Sequence, residues 1–195
     1  EAQLKQVLTL IQHYSVNYAE GNIYSRDLHE TNPADMDTFD AKVIRHAVTS
    51  PDGKTMVFNA LGHLYTKKLP NGKPKRLTSA TDFESEPSFS PDGKELVYVT
   101  WNDNELGAVH KITAQGGAST KLTKQKGIFR NPTFSPSGQT IAFQKASGNM
   151  DQGLSFGKTT AIYTMSSNGN NSKRITKEGE YPQFTKDGTR IFYQT

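Results

Sequence analysis

Gly153-Leu154-Ser155-Phe156-Gly157 has the Gly-x-Ser-x-Gly spacing of a nucleophilic serine on a tight turn. That chemistry needs a strand before the serine and a helix after it, so that the hydroxyl stands strained and exposed. Here Asn149-Met150-Asp151-Gln152 precedes it, and the strand-forming run Thr159-Thr160-Ala161-Ile162-Tyr163 follows. Ser155 is therefore read as a loop residue. Gly153 to Gly157-Lys158-Thr159 also approaches a phosphate loop. It has three residues between the glycines where four are needed, and a strand follows where a helix should. The histidines are His13, His29, His46, His63 and His110. None form His-x-His, His-x-x-x-His or His-Glu-x-x-His, so no local zinc cluster is visible. Polar contacts at the rims of sheets are expected of His46, His63 and His110. Asp35, Asp37 and Asp40 lack the glycine and distal glutamate of a calcium loop and read as a solvated acidic segment. The absence of cysteine excludes disulfides, thiolate metal sites and thiol catalysis. No catalytic residue, cofactor site or metal site is assigned.

What remains is a candidate contact surface, Trp101, Asn102 and Asp103, running on into Asn104 and Glu105. It carries the single tryptophan and reads as a long polar loop leaving an apolar strand. Loops on rigid scaffolds carry binding, and tryptophan is favoured at contact hot spots. The competing reading packs Trp101 between sheets. Lys67-Lys68, Lys73, Lys75-Arg76, Lys121, Lys124 and Lys126 fall near predicted outer strands, where lysine discourages edge pairing. They lack the interleaved aromatics of a single-strand nucleic-acid groove. Lys plus Arg is 23 against 19 Asp plus Glu, a surplus of +4 over 195 residues and no nucleic-acid footprint. No apolar run approaches the ~18 residues of a membrane span.

The elements that must position these residues repeat. Ser50-Pro51-Asp52-Gly53-Lys54-Thr55-Met56-Val57-Phe58 returns as Ser90-Pro91-Asp92-Gly93-Lys94-Glu95-Leu96-Val97-Tyr98, then as Ser135-Pro136-Ser137-Gly138-Gln139-Thr140-Ile141-Ala142-Phe143 and Thr185-Lys186-Asp187-Gly188-Thr189-Arg190-Ile191-Phe192-Tyr193. The glycines lie 40, 45 and 50 residues apart. Leu64-Tyr65-Thr66, Ala108-Val109-His110 and Ala161-Ile162-Tyr163 mark a third strand in three units. Leu77-Thr78, Leu122-Thr123 and Ile175-Thr176 close them. Ser-Pro-Asp-Gly is turn chemistry, because proline presets φ, Asp bonds its own backbone and Gly accepts positive φ. The strands that follow are apolar at consecutive positions, so both faces must be covered. Four strands per ~40–45 residues is the period of a β-propeller blade.

The chain is thus expected to be all-β, with four-stranded antiparallel propeller blades at about 41–79, 80–125 and 126–177 and a partial one at 178–195. Residues 1–40 form a β-rich lead-in, with Gln6–Ile11 and Asn22–Ser25 as strand candidates. Either those strands close a small ring, or the chain is a cut piece of a propeller of about six or seven blades. The second is favoured, and a first residue of Glu rather than Met agrees with a cut or processed piece. Cut sheet edges would associate with one another.

Glu86-Pro87-Ser88-Phe89-Ser90-Pro91-Asp92-Gly93 and Asn131-Pro132-Thr133-Phe134-Ser135-Pro136-Ser137-Gly138 resemble the TolB-type propeller repeat. The resemblance covers about 41–195. It departs at Ala47 and Thr49 in the first unit and at Lys186 in the fourth. More narrowly, Asp40–Arg45, Phe58–Tyr65 and Tyr98–Asp103 resemble the propeller of large exported amidohydrolases. This implies a non-catalytic segment of a larger periplasmic or otherwise exported hydrolase, serving docking or substrate gating, with its own catalytic domain or another protein as partner. The His-x-His start of such a barrel is absent here. The same repeat also resembles free-standing TolB-like interaction modules and the propeller lids of prolyl-oligopeptidase-type peptidases.

Overall fold

The computed structural model describes residues 41, 43–146 and 160–195. The lead-in at 1–40, with Asp35, Asp37 and Asp40, and the Ser155 motif lie outside the described residues. Among the described residues every regular element is a strand.

The first sheet holds β1 (Arg45–Thr49), β2 (Thr55–Ala60), β3 (His63–Lys68) and β4 (Lys75–Arg76), in that order. The second holds β5 (Phe83–Phe89), β6 (Glu95–Asn102), β7 (Leu106–Thr113) and β8 (Thr120–Lys121). The third holds β9 (Ile128–Phe134), β10 (Thr140–Ala146), β11 (Thr160–Ser166) and β12 (Lys173–Arg174). A two-stranded sheet follows, β13 (Glu180–Phe184) with β14 (Ile191–Gln194). All pairings are antiparallel. The first strands β1, β5, β9 and β13 neighbour one another in turn, while the outer strands β4, β8 and β12 are two exposed residues each. This is the propeller architecture, left open. Outer strands so short and so basic offer little edge for another chain to pair with.

The buried positions explain the stacking. β6 is buried continuously from Leu96 to Thr100, and β10 from Ile141 to Gln144, because each is covered on both faces. Val57, Leu64, Leu77, Leu96, Tyr98 and Ile112 form the core between the first and second sheets. Val97, Val99, Val109, Leu122, Phe129, Phe143 and Met165 are among those filling the next one. The alternation within β6 therefore sends Leu96 and Tyr98 to one neighbour and Val97 and Val99 to the other.

The Ser-Pro-Asp-Gly turn is closed by its own side chains. Ser50 Oγ donates to Asp52 Oδ1 at 2.6 Å, while Oδ1 also accepts from Lys54 N at 3.0 Å and Ser50 Oγ accepts from Thr55 N at 2.9 Å. Ser90, Asp92, Lys94 and Glu95 repeat the pattern, and Thr185 and Asp187 reproduce it with a threonine hydroxyl. The hydroxyl is the first cause, and the backbone amide the second, that holds the Asp52, Asp92 and Asp187 carboxyls below the usual range.

Turns of neighbouring sheets seat on each other. A Cβ added at Gly93 would lie 3.3 Å from Pro51 Cδ, one at Gly138 3.6 Å from Pro91 Cδ, and one at Gly188 3.4 Å from Pro136 Cδ. A second joint lies at the β7–β8 and β11–β12 connections. Gly116 and Gly169 have φ of +89° and +85°, and a Cβ there would stand 2.5 Å from Leu77 O and 2.7 Å from Leu122 O. Only glycine meets both conditions.

Each first strand bulges where His46, Glu86, Asn131 and Tyr181 take φ between +50° and +53°, just before a proline in three of them and before Ala47 in β1. The bulge re-aims these four side chains out of the ladder's alternation.

Candidate functional site

Three places bring polar side chains together. The first is the cleft between the first two sheets. Glu84, 1% exposed, is the second residue of the inner strand of the second sheet. Its Oε2 accepts a hydrogen bond from Leu64 N of the first sheet at 2.9 Å, and its own N donates to Gly62 O at 2.7 Å. Asn59 Nδ2 donates to its carbonyl. His63 Nδ1 stands 3.9 Å from Oε2 and 2.9 Å from Arg76 Nη2. Arginine only donates, so Nδ1 is the acceptor and this imidazole is neutral. Tyr98 and His110 face each other across β6 and β7 with ring centroids 5.7 Å apart.

Burial governs the protonation of this cluster. It pushes Glu84 up, against the pull of the Leu64 amide, and it pushes Tyr98 up to about 12. It pushes His63 down, helped by Arg76, and His110 down, helped by Lys121. Among the described residues Thr78 Oγ1, Glu84 Oε1 and Tyr98 Oη are buried without hydrogen-bond partners. The repeat accounts for the Thr78 orphan. In the next two sheets the equivalent threonines, Thr123 and Thr176, accept from Val109 N and Ile162 N at 3.1 and 2.9 Å. In the first sheet Glu84 has taken that amide. His63, the first residue of β3, meets Arg76 at the strand end, and both His63 and His110 border the inter-sheet cleft.

The second place is the inner-strand joint. Glu86, 7% exposed, accepts from Arg130 Nε and from Asn131 N, both at 2.5 Å. One carboxylate thereby satisfies the bulge of the following sheet. Neither this pair nor Glu84 was marked by sequence reasoning. The available signal was Glu84, an acidic residue at a strand position that carries Ile44, Phe129 and Gly179 in the other units. Glu86 stands at a position that is polar or aromatic in every unit and gave none.

The third place is the Trp101 turn. Trp101 and Asn102 are the last residues of β6, half-buried, and Asp103 begins the exposed turn. Trp101 Nε1 donates to Asp103 Oδ1 at 3.1 Å, and Asn102 Oδ1 accepts from Asn104 N at 3.0 Å and from Glu105 N at 2.6 Å. Lys126 Nζ donates to Asn104 O and Glu105 Oε1 at 3.0 and 3.3 Å. The long loop expected here is in fact a three-residue turn, because β6 and β7 pair through Asn102 and Leu106. The structure brings Trp101, Asn102 and Asp103 into one hydrogen-bonded unit. It does not join them to the Glu84 cluster. Among the described residues no three His, Asp or Glu side chains group as metal ligands. Nor is any helix long and apolar enough to cross a membrane.

Residues 59–195 match the family model described as the TolB beta propeller domain. The Tol-Pal system protein TolB of Francisella tularensis subsp. holarctica (strain OSU18) is 32% identical over an alignment covering 38% of this chain and 20% of that protein. The chain therefore spans about a fifth of the length of that curated relative. Among solved structures, TolB from Acinetobacter baumannii superposes with a TM-score of 0.61 at 20% identity, over 77% of this chain and 37% of that one. An oligogalacturonate lyase in complex with manganese gives 0.62 at 14%, over 76% and 45%. At these identities the structural likeness is one of fold.

Proposed function

The chain belongs to the TolB beta propeller domain family, and from that premise we propose that it is a non-catalytic propeller segment of a larger exported protein that docks a partner protein or its own catalytic domain. The observation that carries this reading is the Trp101 turn. An indole at the end of a rigid eight-residue strand is held by Asp103, on a turn that Asn102 closes. A side chain fixed before contact loses little freedom on binding, which is what a docking anchor needs. The buried carboxylates support the same reading, because Glu84 and Glu86 are committed to joints between sheets. The finer proposal, that the parent is an amidohydrolase, rests on the run Phe58–Tyr65 and on Tyr98–Asp103. The flanking reading frame tests it. A downstream His-x-His barrel supports it, a downstream Gly-x-Ser-x-Gly hydrolase points to a peptidase lid, and no further domain points to a free-standing module.

Because Trp101 is the only tryptophan, its fluorescence reads the turn directly. Acrylamide quenching is expected to fall when the parent's remaining domains are added in trans, provided their tryptophans are replaced by phenylalanine. Unchanged quenching at saturating concentration sinks the docking role of this turn. The isolated chain is expected to turn over no amide or peptide substrate, and activity abolished by Ser155→Ala would overturn the non-catalytic reading.

A further inference from the structure

The cleft between the second and third sheets repeats the one before it, position for position, with an exchange of charge. Register puts Phe129 where Glu84 stands, Phe143 where Tyr98 stands, Tyr163 where His110 stands and Lys145 where Thr100 stands. In the earlier cleft the protein's own carboxylate, Glu84, occupies the space. In the later one that carboxylate is gone, a lysine has been gained, and a cavity of about 270 Å³ opens between the sheets. Phe129, Phe143, Tyr163 and Lys145 line it, with Lys124 and Asn171 contributed by flanking connections.

Lys145 is held, not loose. Its Nζ lies 5.7 Å from the Phe129 ring centre and 5.9 Å from that of Tyr163, and it donates to Gln125 Oε1 at 2.8 Å. An ammonium carries three donors, and among the described residues one is used, by Gln125. Among the described residues no carboxylate pairs with Lys145 or with Lys124. The rings of Phe143 and Tyr163 are stacked at 5.8 Å and offer a flat apolar wall. A concave site with an aromatic lining and one fixed charge is the usual build of a small-ligand pocket, and the volume suits one ring with a short acidic arm.

We propose that this cavity binds a carboxylate carried on a flat apolar group, with Lys145 as the charge partner and Phe129, Phe143 and Tyr163 as the apolar wall. The acid takes the place that Glu84 fills in the neighbouring cleft. Two sources share this chemistry, a free aryl acid and the C-terminal residue of a peptide ending in an aromatic side chain.

The test is a calorimetric or NMR titration of the 195-residue chain with four probes. These are phenylacetate, phenylacetamide, and an acetylated tripeptide ending in phenylalanine as its free acid and as its amide. At least one acid is expected to bind, and its amide at least about tenfold more weakly, since a charge-assisted hydrogen bond is lost. Binding of phenylacetate alone identifies a free acid as the ligand class, and binding of the peptide acid identifies a chain terminus. Lys145→Met is expected to weaken the acid by at least about tenfold. Asn171→Asp, at an exposed position that leaves the core untouched, is expected to weaken it by placing a like charge at the cavity. It also decides the matter if Lys145→Met does not fold. The proposal is overturned if amide and acid bind equally, if Asn171→Asp binds like the parent, or if neither acid saturates up to about 10 mM.

Discussion

Glu84 and the two histidines beside it give the first cleft opposing responses to acid. The folded chain holds the Glu84 proton more tightly than the unfolded chain does, so its contribution is fully present below 4.5 and is lost as pH rises through its raised folded value. His63 and His110 are shifted the other way. The folded chain binds their protons less well, so their contribution is present above 6.5 and is lost as pH falls toward their lowered folded values. Asp82 and Arg76 also act on this cleft, Asp82 raising Glu84 and Arg76 lowering it. Glu84→Gln is therefore expected to flatten the decline in Tm above pH 4.5 while leaving the acid-side decline due to the histidines, as checked by circular dichroism melts from pH 4 to 8. An unchanged slope would remove Glu84 from the account. Glu86 poses a different case. Glu86→Ala strips the acceptor from Asn131 N and the partner from Arg130. Arg130 is 37% exposed and regains some water, so the expected loss is about 1–3 kcal/mol by urea unfolding, with Glu86→Gln recovering part of it. The residues of these joints were invisible in the sequence for a physical reason. Arg130 lies 44 positions from Glu86, and their meeting depends on how two sheets stack.

The elements themselves were far more legible, because turn and strand are written in local chemistry. Ser50, Asp52 and Gly53 close their turn with bonds that span at most five residues, and the uninterrupted apolar run of β6 announced two covered faces. Trp101 shows where local reading stopped. A polar run looked like a long loop, yet Asn102 stays in the strand and spends its amide oxygen on the turn. Glycines separate turn chemistry from stacking. Gly53 and Gly169 have similar φ, +71° and +85°, but a Cβ at Gly53 meets nothing within 4 Å, whereas one at Gly169 would press on Leu122 O at 2.7 Å. Both substitutions to alanine carry backbone strain of about 1–2 kcal/mol. Gly169→Ala is expected to cost about 1–3 kcal/mol more than Gly53→Ala, since the carbonyl is backbone and moves only if the sheets part. Equal denaturation midpoints for the two variants would mean that the close approach contributes nothing.

At the scale of the whole molecule the sheets form an open stack, and its last member is the least covered. In the β13–β14 sheet Phe192 is 66% exposed and Tyr193 44%, and among the described residues the far edge of β14 has no pairing strand. Exposed aromatics beside an unpaired edge favour association. The chain is expected to show a mass that rises with concentration in light scattering, and Phe192→Lys is expected to suppress it. A constant monomer mass for the parent sequence would exclude this route. Stability in such arrays is roughly a sum of modules and the contacts between neighbours. Here those contacts include Pro51 on Gly93, Pro91 on Gly138 and Pro136 on Gly188, all at the end of the strands where β2, β6, β10 and β14 begin. The opposite end of β10 is spared that duty, and Ala146 and Thr160 face each other there as partners. Foreign sequence grafted between those two residues is expected to leave the proline-on-glycine coupling intact, since none of those contacts lies at that end of the strands.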